Sequence, residues 1–375
     1  MKKEIEIYGK KIVLETGTVA KQANGSVLAK MGETTVLVTA VISEREQPLE
    51  RQGDFVPLTV DYRERTYASG KIPGGFFKRE GRPREKETLS CRIIDRSIRS
   101  TFPLGFQNEL QVTVIVLSSD GVNDTDVISV IGSSAALMIS DIPFAGPVSC
   151  VKVGMIDNEY IFNPTFEQLA KSSIDLVISG NGEKVLMIEM GAKEVSEKVV
   201  MGALEAAKPV LKQVCDLQNE LTREIGKPKR TVTPKEPLPE LSSRVREIVK
   251  GKIKDFESLE HIAKGAAEEL QKKFGSEPAM IVQIKTAFER IYREEVRAFI
   301  METKKRPDGR AIDQLRDISC EVSFLPRLHG SALFSRGQTQ SLATVTLGMP
   351  ADMQIMEELE GEFKERFLLH YNFPG

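Results

Sequence analysis

Apolar and polar positions alternate in short runs through roughly the first 150 residues. "EIEIYGKKIVLETG", "SVLAKMGETTVLVTAVIS", "GDFVPLTVDYRE" and "LQVTVIVLSSD" are rich in β-branched residues and separated by Gly, Asn and Asp. This pattern predicts strands joined by turns. "VISVIGSSAALMIS" (127–140) breaks it: the run is apolar, rich in small residues and free of turn signals, which predicts a buried helix ending near Pro143. A second β stretch follows in "PVSCVKVGMIDNEYIFNP" and "IDLVISGNGEKVLMIEM", where Asn181-Gly182 between apolar runs predicts a hairpin. Residues 194–226 take up helical spacing and stop at Gly226-Lys227-Pro228.

The pattern then changes twice. "KPKRTVTPKEPLPE" (227–240) holds four prolines and mixed charge, and reads as a linker. From Leu241 to Thr303 apolar residues fall at helical intervals among many Glu, Lys and Arg, so several amphipathic helices are expected, broken around "GSEP" (275–278). Their charge density needs no explanation beyond solvated helix faces. "KKRPDGRAID" (304–313) opens a third region. Here "GSALFSRGQTQ" (330–340) repeats the G-S-x-L-x-x-x-G-x-T spacing of "GSVLAKMGETT" (25–35). A 305-residue offset excludes a short-period solenoid and points to a duplicated domain with a helical insert. The second copy extends barely 70 residues, against about 225 for the first, so the chain reads as truncated.

At 375 residues the chain is long for one core. It has no run near the roughly 20 apolar residues of a membrane span and no signal-peptide core at its N-terminus, so a cytoplasmic location without membrane partners is expected. Cys91, Cys150, Cys215 and Cys320 are scattered beside only three histidines, which argues against zinc or a disulfide framework and for isolated thiols. The net charge of −2 gives no global attraction to nucleic acid.

Locally the balance differs. "GGFFKREGRPREKETLSCRIIDRSIR" (74–99) carries eight cations. Gly74 and Gly75 permit an exposed loop, Phe76 and Phe77 offer stacking faces, and Lys78, Arg79, Arg82, Arg84 and Lys86 can contact phosphates. Arg92, Arg96 and Arg99 follow at helical spacing, diluted by Glu85, Glu87 and Asp95. A loop gripping single-stranded nucleic acid and a surface helix laced with ion pairs both fit this stretch.

"GGFFKREGRP" with "RIIDRSIRSTFPLGF", then "ALMISDIPFAGPV", "PDGRAID", "LPRLHGSALFSRGQTQ" and "LLHYNFP", resemble in order the bacterial polynucleotide phosphorylase (polyribonucleotide nucleotidyltransferase) family. The resemblance runs the length of the chain. It implies an α/β (α+β) ribonuclease-PH-like core domain (1–226), a linker (227–240), an all-α domain (241–303) and the start of a second such core (304–375). It further implies a homotrimeric ring whose channel takes single-stranded RNA. Inorganic phosphate attacks the 3′ end, nucleoside diphosphates leave, and the reverse reaction adds nucleotides.

By this resemblance Phe76, Phe77, Lys78 and Arg79 line a constriction that grips RNA, and Arg82, Arg92, Arg96 and Arg99 continue the path. Arg327, His329 and Arg336 face the RNA from the second copy, although His329 and His370 also read as ordinary polar residues at strand ends. Lys78 departs from the family's usual Arg, keeping charge but losing planar geometry. The phosphate-binding serines, the Mg²⁺-binding aspartates and a catalytic lysine belong to the second core and are expected beyond Gly375.

In the first copy, Asp124, Thr125 and Asp126 stand where the active copy has serines, and would repel phosphate. Asp175 is kept, while Leu169 and Val177 replace another aspartate and the lysine. The first core is therefore expected to bind RNA without catalysing. A non-catalytic RNA-binding ring subunit is the alternative, disfavoured by the helical insert and second repeat; a single-strand-binding protein sharing only the basic loop is a third. RNA degradosome components are possible partners that the sequence does not specify.

Overall fold

The computed structural model describes residues 1–48, 55–74, 78–232, 238–250, 256–359 and 361–373, with the backbone alone for 256–264. Two compact units emerge, the first comprising Met1–Pro48, Asp54–Pro234 and Glu357–Glu362 and the second the rest.

In the first unit, β1 (Lys2–Ile7), β2 (Lys10–Glu15), β3 (Gly25–Met31), β4 (Thr34–Glu46) and β5 (Leu58–Glu64) precede α1 (Glu85–Ile98). After β6 (Asn108–Ser118) and α2 (Thr125–Ile139) come β7 (Ser149–Ile156), β8 (Glu159–Phe162), α3 (Phe166–Lys171), β9 (Ile174–Gly180), β10 (Val185–Ala192) and α4 (Glu197–Ile225). Six strands form a mixed sheet in the order β1-β2-β3-β4-β6-β5, with only β5 and β6 parallel. Four more form an antiparallel sheet ordered β10-β9-β7-β8.

The helix α2 packs on β3 and β4 from one sheet and on β7 from the other, with α1 and α4 alongside. It is buried along its length, with Asp126 half-buried in its first turn. Small side chains allow such close layering, and Ser129 and Ser133 satisfy their hydroxyls on the carbonyls four residues back, at 2.6 and 2.7 Å. At its C-terminal end Lys229 Nζ donates to the carbonyls of Leu137, Met138 and Ser140, at 2.7–2.9 Å. Burial pulls this amine down to about 8. Arg230 pairs with Asp141 and Glu44. The first residues of the stretch expected to link the domains are thus bound to the first unit, while 233–237 lie outside the described residues.

The expected 181–182 hairpin joins β9 to β10 through four residues: Asn181 Oδ1 accepts from the amides of Glu183 and Lys184. In the second unit α5 (Pro239–Val249), α6 (Phe256–Phe274) and α7 (Pro278–Thr303) share a core that includes Leu241, Val245, Leu270, Ile284 and Phe288. A three-stranded sheet follows, β11 (Ile318–Val322), β12 (Gly330–Arg336) and β13 (Thr339–Val345). The repeated motif forms the same hairpin twice: β3–β4 turns at Gly32 (φ 61°) and β12–β13 at Gly337 (φ 60°).

Candidate nucleic-acid interface

The helix α1 begins where Glu87 accepts the Arg84 amide at 2.6 Å and the Glu64 amide at 2.9 Å, so one buried carboxylate ties the helix start to β5. Just upstream, Glu80 accepts Arg65 Nη1 at 2.5 Å and the amide and hydroxyl of Thr66 at 2.9 and 3.1 Å. Burial opposes ionisation of Glu80, but these donors hold its carboxyl below the usual range. These anchors fix the base of the basic segment.

The cations above that base fall into two groups. Lys78, Arg79, Arg82 and Arg92 are exposed and have no hydrogen-bond or ion-pair partner among the described residues. Lys78 takes a left-handed φ of 49°. Arg96 is exposed and pairs with Glu189 on β10 at 2.6 Å. Arg99 is engaged within the fold. It is bound bidentately to Asp95, donates to the carbonyls of Val56 and Leu58 at 2.6 and 3.0 Å, and lies 4.3 Å from the Phe55 ring. Its guanidinium holds the start of β5 to α1. Gly75, Phe76 and Phe77 lie outside the described residues.

Behind this segment, charged groups converge on the N-terminus of α2. Asp124 caps the helix, accepting the Asp126 amide at 2.8 Å, and Lys152 Nζ on β7 bridges Asp124 at 2.5 Å and Asp175 at 3.2 Å. Burial opposes ionisation of Lys152 and of Asp124. The Lys152 charge nevertheless holds Asp124 below the usual carboxylate range, and the Asp124 and Asp175 charges hold Lys152 above the lysine value. Asp126 accepts a hydrogen bond from Ser90 at 2.6 Å, and burial together with the Asp124 charge pushes it up to about 7. Tyr62 donates to Glu64 at 2.8 Å with Thr125 Oγ1 2.7 Å away, and Lys86 pairs with Glu64 at 3.0 Å.

Sequence reading found Asp124, Asp126 and Asp175 but missed Lys152. The available signal was one lysine inside the otherwise apolar strand "SCVKVGMI". Its ammonium takes the position between the aspartates that a divalent cation would need. Among the described residues no group of three or more His, Cys, Asp and Glu is arranged to hold a metal. This copy's donor set does not fit Mg²⁺.

In the second copy Arg327, His329 and Arg336 are all exposed, with Arg336 ending β12. His329 Nδ1 accepts the Leu347 amide at 2.9 Å, joining the residues that flank the open end of the β12–β13 hairpin. Ser331 is buried and its hydroxyl accepts the Leu325 amide at 2.8 Å.

A family model described as "3' exoribonuclease family, domain 1" matches residues 9–143 and again 314–375, together more than half of the chain. Its companion, "3' exoribonuclease family, domain 2", matches residues 146–209. The first model thus falls on both copies of the repeated hairpin. A polyribonucleotide nucleotidyltransferase of Elusimicrobium minutum is 46% identical across 99% of this chain and 54% of its own length. Those of Endomicrobium trichonymphae and Bacillus licheniformis are 45% and 44% identical, across 55% and 53% of their own lengths. The chain spans about half the length of the curated relatives it matches. A solved structure titled "archaeoglobus fulgidus exosome with RNA bound to the active site" aligns at a TM-score of 0.43 with 20% identity, over 53% of this chain and 85% of that one. The expected fold class is borne out: a ribonuclease-PH-like α/β core, then helices, then the start of a second such domain. Matched by one domain model at both hairpins and by relatives along nearly its whole length, this chain belongs to the 3′ exoribonuclease family.

Proposed function

We propose that this chain is the RNA-gripping part of a polyribonucleotide nucleotidyltransferase, a phosphorolytic 3′→5′ exoribonuclease, and that it holds single-stranded RNA without cutting it. The observation that carries the reading is the contrast between two sets of charges. Lys78, Arg79, Arg82 and Arg92 are exposed and unpartnered among the described residues, whereas the aspartates of the first copy are closed around Lys152. Free surface cations attract phosphates. Lys152 is buried and its charge is already shared by two carboxylates, which would repel an incoming phosphate.

In this reading Phe76 and Phe77 stack bases while the cations hold the backbone, so binding is indifferent to sequence. Arg96 joins the path by exchanging Glu189 for phosphate, and Arg327 and Arg336 extend it from the second copy. The reaction centre, with Mg²⁺ and the inorganic phosphate co-substrate, belongs to the second core domain. The layout of cores at 1–226 and from 304, with a helical domain at 241–303, assembly as a cytoplasmic homotrimer and docking of RNA degradosome components are parts of the same reading. No helix among the described residues is long and apolar enough to cross a membrane.

Titration of fluorescently labelled oligoadenylate across a series of KCl concentrations tests the grip. Four free cations at about −0.7 per phosphate neutralised on a single strand predict a log–log slope of about −3. Tight binding that ignores salt would contradict the reading.

A further inference from the structure

We propose that a cleft at the base of the basic segment, lined by Arg63, Arg65, Arg79, Arg82 and Arg84, receives one phosphate of the RNA backbone. This rests on the RNA-grip reading above. Arg63 and Arg65 were not among the residues that the sequence marked for phosphate or RNA, whereas Arg84 was.

The cleft encloses about 210 Å³. That is below the roughly 300–1,000 Å³ of pockets that bury whole small molecules, so it suits a phosphate and leaves the base outside. Three of its wall carboxylates are already occupied. Glu64 holds Lys86 and Tyr62, Glu80 holds Arg65 and Thr66, and Glu87 holds two backbone amides. Arg65 is bound to Glu80, and among the described residues Arg63 donates only through Nε, to Asp61 at 3.0 Å, with its Nη groups uncommitted. Arg84 donates to the Glu357 carbonyl. Arg79 and Arg82 have no partner among the described residues.

One carboxylate opposes an anion. Glu357 faces the cleft beside Gly74 with no carboxylate partner among the described residues. Two wholly free guanidiniums and the open edge of Arg63 therefore face a single free acid, and the balance favours phosphate. Arginine forks match phosphate oxygens bidentately, which a lysine cannot do.

The test is fluorescence anisotropy of a 5′-labelled A12 strand against KCl for the wild type, Arg63→Gln, Arg84→Gln, Glu357→Gln and Lys78→Gln. Arg63→Gln and Arg84→Gln should each weaken binding by about fivefold, as for a partly exposed charge pair, and lower the salt slope by about 0.7. Glu357→Gln should tighten binding, which is a signature that a folding defect cannot produce. Wild-type affinity and slope in Arg63→Gln and Arg84→Gln, with Lys78→Gln weakened, would overturn the cleft while the grip reading stands. No binding by the wild type would overturn both. Inorganic phosphate provides the second arm, through the thermal stabilisation it confers. Stabilisation lost in Arg63→Gln with RNA binding unchanged would assign the cleft to a free anion and overturn its place on the RNA path.

Discussion

Lys152 decides what the N-terminal end of α2 can do. Its ammonium is the cation that Asp124 and Asp175 share, and both it and Asp124 are buried. Removing one partner from a buried pair costs about 3–5 kcal/mol, because the other charge is left without compensation. Lys152→Met should lose that much in urea unfolding at pH 7, and adding Asp124→Asn should return part of it. A loss below about 1 kcal/mol would mean the network is not closed. Asp126 makes a separate prediction. Its carboxyl titrates near 7 when folded but near 3.9 when unfolded, so the native state binds the extra proton between those values. Its contribution to stability therefore falls as pH rises from about 4 through 7 and is level above. Asp126→Asn should stabilise the protein at pH 8 by on the order of 2 kcal/mol and give little gain at pH 4. Equal effects at both pH values would contradict the assignment. The aspartates were legible from the family resemblance, whereas their cation was not, because a lysine from a distant strand reaches them only once the two sheets close over α2.

The elements themselves were largely legible. The buried helix at 127–140, the long helix at 194–226 and the helices after 241 appear as α2, α4 and α5–α7, since strong periodicity and small-residue runs leave little choice. The linker reading was less complete, because Lys229 and Arg230 are polar residues whose partners are carbonyls and carboxylates far along the chain. The duplicated G-S-x-L motif also carries unequal packing. A Cβ at Gly25 would sit 2.0 Å from the Ala136 carbonyl oxygen of α2, while one at Gly330 would meet only Val345 Cβ, at 3.6 Å. Gly25→Ala must push the central helix off β3 and should cost several kcal/mol, about 3 or more. Gly330→Ala should stay within about 1 kcal/mol. Thermal melts of the two variants compare them directly, and equal losses would mean that the shared glycine serves the hairpin rather than the helix contact.

Across the whole molecule, a net charge of −2 conceals a sharp division of labour. Arg99–Asp95 and Lys152–Asp124 pair against the core, whereas Lys78, Arg79, Arg82 and Arg92 of the basic segment are exposed with no partner among the described residues. Sequence reading saw the cation-rich segment as a unit. It could not sort Arg99 from Arg92, because both sit at helical spacing and only the packing of Phe55 and β5 separates them. In the proposed reading the first copy holds RNA and cannot cut it. The most direct measurement is phosphate-dependent release of nucleoside diphosphate from poly(A), with Mg²⁺ present, by this 375-residue chain. No release above background is expected from samples that bind the same RNA. Release that is abolished by Asp175→Asn would contradict this reading and make the closed network around Lys152 a working reaction centre.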